Sequence, residues 1–109
     1  MIATRTLMLR QDGTDHDVCV RLFAPEQAAG DWSCRWEIDW PDGMCTFAAH
    51  GNDSIQALAL ALMMIGAVLY TSEHHKSGRL SSGNSWRGYG FPVSKNIRDL
   101  LEGDDAEYL

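Results

Sequence analysis

The residues able to do chemistry fall into a few groups, and spacing tests each one. Ser82-Gly83-Asn84-Ser85 superficially suggests a hydrolase loop. A serine nucleophile needs a base within hydrogen-bond reach and a third group to orient it. The chain has neither Gly-x-Ser-x-Gly nor suitably spaced His and Asp partners, so the stretch reads as loop. His74-His75, joined by His16 or His50, would offer imidazole ligands to a metal. Adjacent histidines face opposite ways on a strand and lie about 100° apart on a helix, so they make a poor pair for one ion. They read as solvated histidines at a helix end, where the dipole favours positive charge. The acidic turn Asp12 to Asp15 lacks the spacing and the distal Glu of a calcium loop. Cys19, Cys34 and Cys45 are odd in number and show no Cys-x-x-Cys spacing, which predicts reduced thiols rather than a zinc site or a disulfide frame. No glycine loop matches a phosphate cradle or a dinucleotide fingerprint. No catalytic, metal or cofactor-binding residue is assigned.

One group survives. Trp86, Arg87, Tyr89 and Phe91 sit among glycines, outside any periodic element. Trp, Tyr and Arg are the residue types enriched at binding hot spots, so these four are the candidate interaction or ligand residues. Beside that stands the alternative that the aromatics fold back to cover the central helix.

The element that must position them is Asn52 to Ser72. Its sixteen residues Ile55 to Tyr70 carry no charge and are rich in strong helix formers. Asp53 or Ser54 can cap the first turn, and with Asp53 as N-cap, Gln56 falls where a capping-box partner belongs. Ile55, Leu58, Leu62, Ile65 and Leu69 form one apolar stripe; Ala57, Ala61, Met64 and Val68 form another on the opposite side. A helix apolar on both sides must be covered on both sides. One side is expected on the sheet, and the small residues of the Ala57/Ala61/Met64/Val68 side predict a homodimer face. A membrane span needs about 20 apolar residues and this run is shorter, so no membrane partner is expected.

Upstream, three segments read as strands. Ile2 to Arg10 and Asp17 to Ala24 alternate around a polar turn, and Pro25 to Asp31 follows as a loop. Trp32 to Trp40 sets Trp32, Cys34, Trp36, Ile38 and Trp40 against Ser33, Arg35, Glu37 and Asp39, a half-buried strand with a wet outer face. A two-residue Asp42-Gly43 loop then pairs Trp40 with Cys45, Ile38 with Phe47 and Trp36 with Ala49, with His50 opposite Arg35. Beyond the helix, 73–93 reads as a long Gly/aromatic loop. Residues 94–102 form a short helix capped by Ser94 and ended by Gly103, and 103–109 an acidic tail that frays.

With 109 residues the chain makes one α+β domain: a four-stranded antiparallel meander (1–51), the central helix (52–72) on its apolar face, and the short C-terminal helix. Fifteen acidic against nine basic residues, net charge −6, oppose nucleic-acid binding and favour solubility or a basic partner. The first residues lack a signal-peptide pattern, and with free thiols this predicts a cytoplasmic protein.

Trp32-Ser-Cys…Trp40-Pro-Asp-Gly, then Gly51-Asn-Asp-Ser-Ile-Gln-Ala-Leu-Ala-Leu-Ala-Leu, then Gly88-Tyr-Gly-Phe-Pro-Val93 resembles a group of small uncharacterised bacterial proteins, a domain of unknown function. The likeness spans about Trp32 to Val93. It implies a bacterial cytosolic protein and carries no activity and no site residue with it.

The reading is a non-enzymatic protein-interaction module, homodimeric, of which an immunity-type inhibitor neutralising a basic toxin is one form. The alternative is a small-molecule binder or weak enzyme with a pocket between the central helix and loop 78–91, into which Arg87 and Tyr89 would point.

Overall fold

A computed structural model describes residues 1–109. Strands β1 (Ala3–Gln11) and β2 (Thr14–Leu22) form a hairpin, β3 (Glu26–Ala28) and β4 (Asp31–Trp40) a second, and β5 (Gly43–Gly51) returns along β4. Helix α1 (Ser54–Thr71) follows, then the single turn α2 (Glu73–Lys76) and the short strand β6 (Leu80–Ser81). A 3-10 helix (Lys95–Leu100) and α3 (Gly103–Tyr108) complete the chain.

The antiparallel meander β1-β2-β4-β5 has two short additions. β2 and β3 share one edge of β4, pairing with Trp36–Asp39 and Asp31–Ser33 respectively, and β6 pairs with β1 at Met8 and Leu9. What read as the loop Pro25 to Asp31 therefore contains a strand. The two Asp-Gly pairs behave differently. Asp12 (φ 54°) and Gly13 (φ 75°) are both left-handed between Gln11 and Thr14, the conformation of a type I′ hairpin turn. At the β4–β5 turn the loop is Pro41-Asp42, with Trp40 paired to Gly43. Proline fixes φ near the value that suits the first loop residue of a common turn, and it holds Trp40 extended. The register is thus displaced by two residues: Ile38 pairs with Cys45, Trp36 with Phe47 and Cys34 with Ala49, and His50 lies opposite Ser33, not Arg35. A shift of two preserves the faces. Phe47, expected to be buried beside Ile38, instead lies against Trp36 on the outermost strand and is 58% exposed. Trp36 and Ile38 are wholly buried, and Trp32 and Trp40 half-buried. Arg21, Arg35, Glu37 and Asp39 pair on the outer face.

Helix α1 starts as predicted. The Gln56 N–H donates to Asp53 Oδ1 at 2.7 Å, and the Asn52 N–H donates to Gln56 Oε1 at 2.7 Å. By length and a hydropathy of 1.8 it could cross a bilayer, but here it lies on β4 and β5. The row that meets the sheet is Ala57, Ala61, Ile65 and Leu69, all fully buried. This falls between the two expected stripes and corrects the proposed dimer face. Ala57 and Ala61 are spent on the chain's own sheet, because small side chains let the helix approach closely, while Met64 and Val68 are half-buried. Ile55 of the other stripe is 77% exposed. At Gly66 the Pro92 carbonyl comes so close that a Cβ would collide with it, so segment 91–93 covers the helix's second side over that length.

The C-terminal region also departs from expectation. Ser94 makes no capping bond, since its hydroxyl turns to Asn96 Oδ1, and Lys95–Leu100 is a 3-10 helix broken at Ile97. Gly103 opens α3 (φ 61°) instead of ending a helix, and the acidic segment docks rather than frays.

Candidate functional site

The loop carrying Trp86, Arg87, Tyr89 and Phe91 is held from both sides. From β1, Arg5 Nη1 donates to the carbonyls of Tyr89 (3.1 Å) and Gly90 (2.8 Å), with its guanidinium over the Phe91 ring. From α3, Asp105 faces the amides of the same two residues. Its Oδ2 accepts from the Tyr89 N–H (2.7 Å) and the Tyr70 hydroxyl (2.5 Å); its Oδ1 accepts from the Gly90 N–H (2.9 Å) and Trp86 Nε1 (2.6 Å). The Asp105 carboxylate has 0% exposure and no cation beside it. Its charge is tolerated because four donors converge on two oxygens, replacing water with aimed dipoles. Gly88 is required here, since a Cβ would collide with that carboxyl group.

Next to this lock lies a chain of titratable side chains. His75 Nδ1 is 2.5 Å from the Tyr89 hydroxyl and Nε2 is 2.8 Å from Glu102 Oε2. The Nε2–H donates to the Glu102 carboxylate, and Nδ1 meets the Tyr89 hydroxyl, which also reaches the Leu80 carbonyl. Burial, and then the negative charges of Glu102 and Asp105, push the Tyr89 phenol far up from its ordinary value. Burial and the Asp105 hydrogen bond do the same to Tyr70. Both hydroxyls are therefore neutral donors, suited to hydrogen bonding and unsuited to nucleophilic attack. The histidines are not solvated: His75 is in this chain, and His74 stacks on Trp40 with centroids 4.6 Å apart.

These groups line a cleft of about 1000 Å³ between the end of α1 and loop 78–91. Tyr70, His75, Leu80 and Tyr89 line it, as do Lys76, Trp86, Arg87, Asp99 and Glu102. Arg87 is largely exposed and bonded to Asp104. Ser82 and Asn84 are structural: Asn84 Oδ1 accepts from the Trp86 N–H at 2.8 Å and from the Ser82 hydroxyl at 3.0 Å, a local turn that sets up the loop.

Of the four residues singled out, Trp86, Arg87 and Tyr89 are brought to the cleft, whereas Phe91 is buried in the core. Arg5, Glu102 and Asp105 were missed, and His75, singled out but read as solvated, lies between Tyr89 and Glu102. Arg5 is masked by the alternation of β1, and Asp105 by an acidic run that reads as solvated.

The fold and cleft define a small α+β domain with a Gly/aromatic loop locked between an arginine and a buried aspartate. Residues 3–93 match the family model DUF6968, a domain of unknown function, and the chain belongs to that family. No curated protein and no solved structure matches it.

Proposed function

We propose that the protein is a non-enzymatic binding module that takes a small, partly apolar molecule in the cleft between α1 and loop 78–91. The observation that carries this is the cleft itself. At about 1000 Å³ it is at the upper end of the small-molecule range, with an aromatic floor and a few convergent polar groups. The Tyr70 and Tyr89 hydroxyls are committed to Asp105 and His75, so the polar groups left to orient a ligand are the exposed Lys76, Arg87 and Glu102 on the wall. Three free thiols, with Cys34 and Cys45 pushed above the ordinary thiol range by burial, suit a reducing, cytoplasmic setting. The test is a thermal-shift screen of small molecules on the full chain, repeated with Ser81→Trp to obstruct the cleft. Ligands that raise the wild-type melting temperature and not that of the variant support the reading. Hits indifferent to the substitution, or no hits, sink it.

A second reading, a protein-interaction module that pairs with a copy of itself, is favoured by β5. Its outer edge is unpaired, its nine residues include no Asp, Glu, Lys, Arg or Pro, and Met44 and Phe47 are 54% and 58% exposed. Edge strands of monomers usually carry such protection. A basic protein partner, as an immunity-type inhibitor would have, is a form of the same reading suggested by the net charge of −6. Molar mass by light scattering across concentration decides the homodimer: a strict monomer at every concentration removes it.

A further inference from the structure

Loop 86–90 does more than line the cleft; it grips three consecutive residues, Gly103, Asp104 and Asp105, one by one. The Arg87 carbonyl accepts the Asp104 N–H at 2.6 Å and the Asp105 N–H at 3.4 Å. The Asp104 carboxylate takes the Arg87 N–H at 2.7 Å and its guanidinium at 3.0 Å. The Asp105 carboxylate fills the pocket of Tyr70, Trp86, Tyr89 and Gly90 described above. At Gly103 even a Cβ would stand 2.7 Å from the Arg87 carbonyl, so the first position admits only glycine. Backbone pairing plus a specific seat for each side chain is how a protein reads a peptide. The gripping residues all lie within 3–93, the stretch shared with the family, and the gripped ones lie beyond it.

We propose that Tyr70 and loop 86–90 form a peptide-recognition site for an acidic Gly-Asp-Asp segment, that α3 occupies it as a tethered internal ligand, and that a segment of the same chemistry from another protein competes for it. The chemical class follows from the donors. Each Asp105 oxygen receives two neutral donors, which matches a planar, singly charged carboxylate. The deep pocket holds no cation, so affinity comes from aimed hydrogen bonds rather than net charge. Five of the fifteen acidic residues lie in 99–109 and none of the nine basic ones, so residues 1–98 are nearly neutral and repel the peptide little. Salt acts chiefly by screening the exposed Arg87–Asp104 pair, a small weakening. A tethered ligand competes at an effective concentration on the order of millimolar, so the intact chain binds an added peptide weakly. This inference is independent of whether the cleft takes a small molecule.

The test cuts the tether and keeps the rest. A protease site is inserted between Arg98 and Asp99, both exposed, and the folded full chain is cleaved. A labelled peptide of residues 99–109 is then titrated into cut and uncut protein, beside one carrying Asp105→Asn. The expected result is at least tenfold tighter binding to the cut protein and at least tenfold weakening by the Asn substitution. If the remaining domain unfolds as the cut segment leaves, α3 is part of the core and the proposal fails. It fails equally if the domain stays folded but binds no peptide up to millimolar concentration, or binds both peptides alike.

Discussion

The Tyr70 hydroxyl donates to Asp105 Oδ2 at 2.5 Å, joining the last full turn of α1 to α3 across 35 residues of chain. Because Tyr89, Gly90 and Trp86 bond to the same carboxylate, this one contact ties the main helix, the Gly/aromatic loop and the C-terminal segment together. Asp105→Ala leaves these donors buried without an acceptor. The expected loss is about 3 kcal/mol or more, a fall in melting temperature of over ~10 °C. Asp105→Asn keeps the shape but turns an NH₂ toward two donors, so it recovers only part of that loss. Thermal unfolding of both variants checks it; a change under ~1 kcal/mol for Ala would show that the carboxylate is not structural.

The two phenols set an alkaline limit. Tyr70 and Tyr89 ionise far above the ordinary value of 10.0 in the folded chain. Below that value both states are protonated and the contribution is whole. Above it the unfolded chain loses protons that the folded chain keeps, so stability declines as pH rises past about 10. Tyr70→Phe with Tyr89→Phe should flatten the decline in denaturant midpoint between about pH 9 and 11, at the cost of a lower value at neutral pH.

Acid acts on the other flank of the same loop. The Arg87 backbone N–H and then its guanidinium hold Asp104 below the usual carboxylate range. A depressed folded value means that its stabilisation is present above the unfolded pKa and lost as pH falls through the folded one. Hydrogen exchange of α3 amides should therefore speed up below about pH 4, ahead of the β4–β5 amides, and Asp104→Asn should abolish that step. Simultaneous loss of protection in both regions would contradict it.

Burial separates two substitutions, one on α1 and one on β5, that each put a charge at an apolar position. Ala57→Glu puts a charge into a fully buried contact with the sheet and is expected to unfold the chain, a loss of about 4 kcal/mol or more. Met44→Lys, exposed on the β5 edge, should change stability by less than ~0.5 kcal/mol and, if the chain dimerises there, reduce its mass to that of a monomer. Circular dichroism and light scattering read both. A dimer that survives Met44→Lys excludes that edge.

Ala29 carries a smaller strain. It sits at φ 53° beside Gly30 at 79°, in the turn between β3 and β4. The left-handed region penalises a Cβ, and Asn tolerates it better than Ala. Ala29→Asn should raise stability by roughly 0.5–1 kcal/mol without changing the β3–β4 pairing. An unchanged denaturant midpoint would argue against strain at this position.

What could be read in advance follows the range of the forces involved. The alternation Trp32 to Trp40 and the Asp53/Gln56 cap are local patterns, and both appear as expected. Which face of α1 meets the sheet was not readable, because the helix is apolar on nearly every side and only the geometry of β4 and β5 selects Ala57, Ala61, Ile65 and Leu69. The Gly/aromatic loop was visible through its unusual composition at Trp86 to Phe91. Its fastening was not: Arg5 and Asp105 act across 84 to 85 and 15 to 19 residues respectively, and neither has a local signature. The β4–β5 turn is a different case. Pro41 ahead of Asp42-Gly43 is a local signal that outweighs the dipeptide after it.

The order of synthesis gives the Asp105 lock a temporal meaning. All four of its donors are made before it, and α1 with the whole sheet precedes them. A nascent chain can therefore fold its sheet and helix while the Tyr89-Gly90 amides and the Trp86 indole still bond to water. Until residue 105 has been made and swung back, the loop is unfastened on one side and the seat stands open.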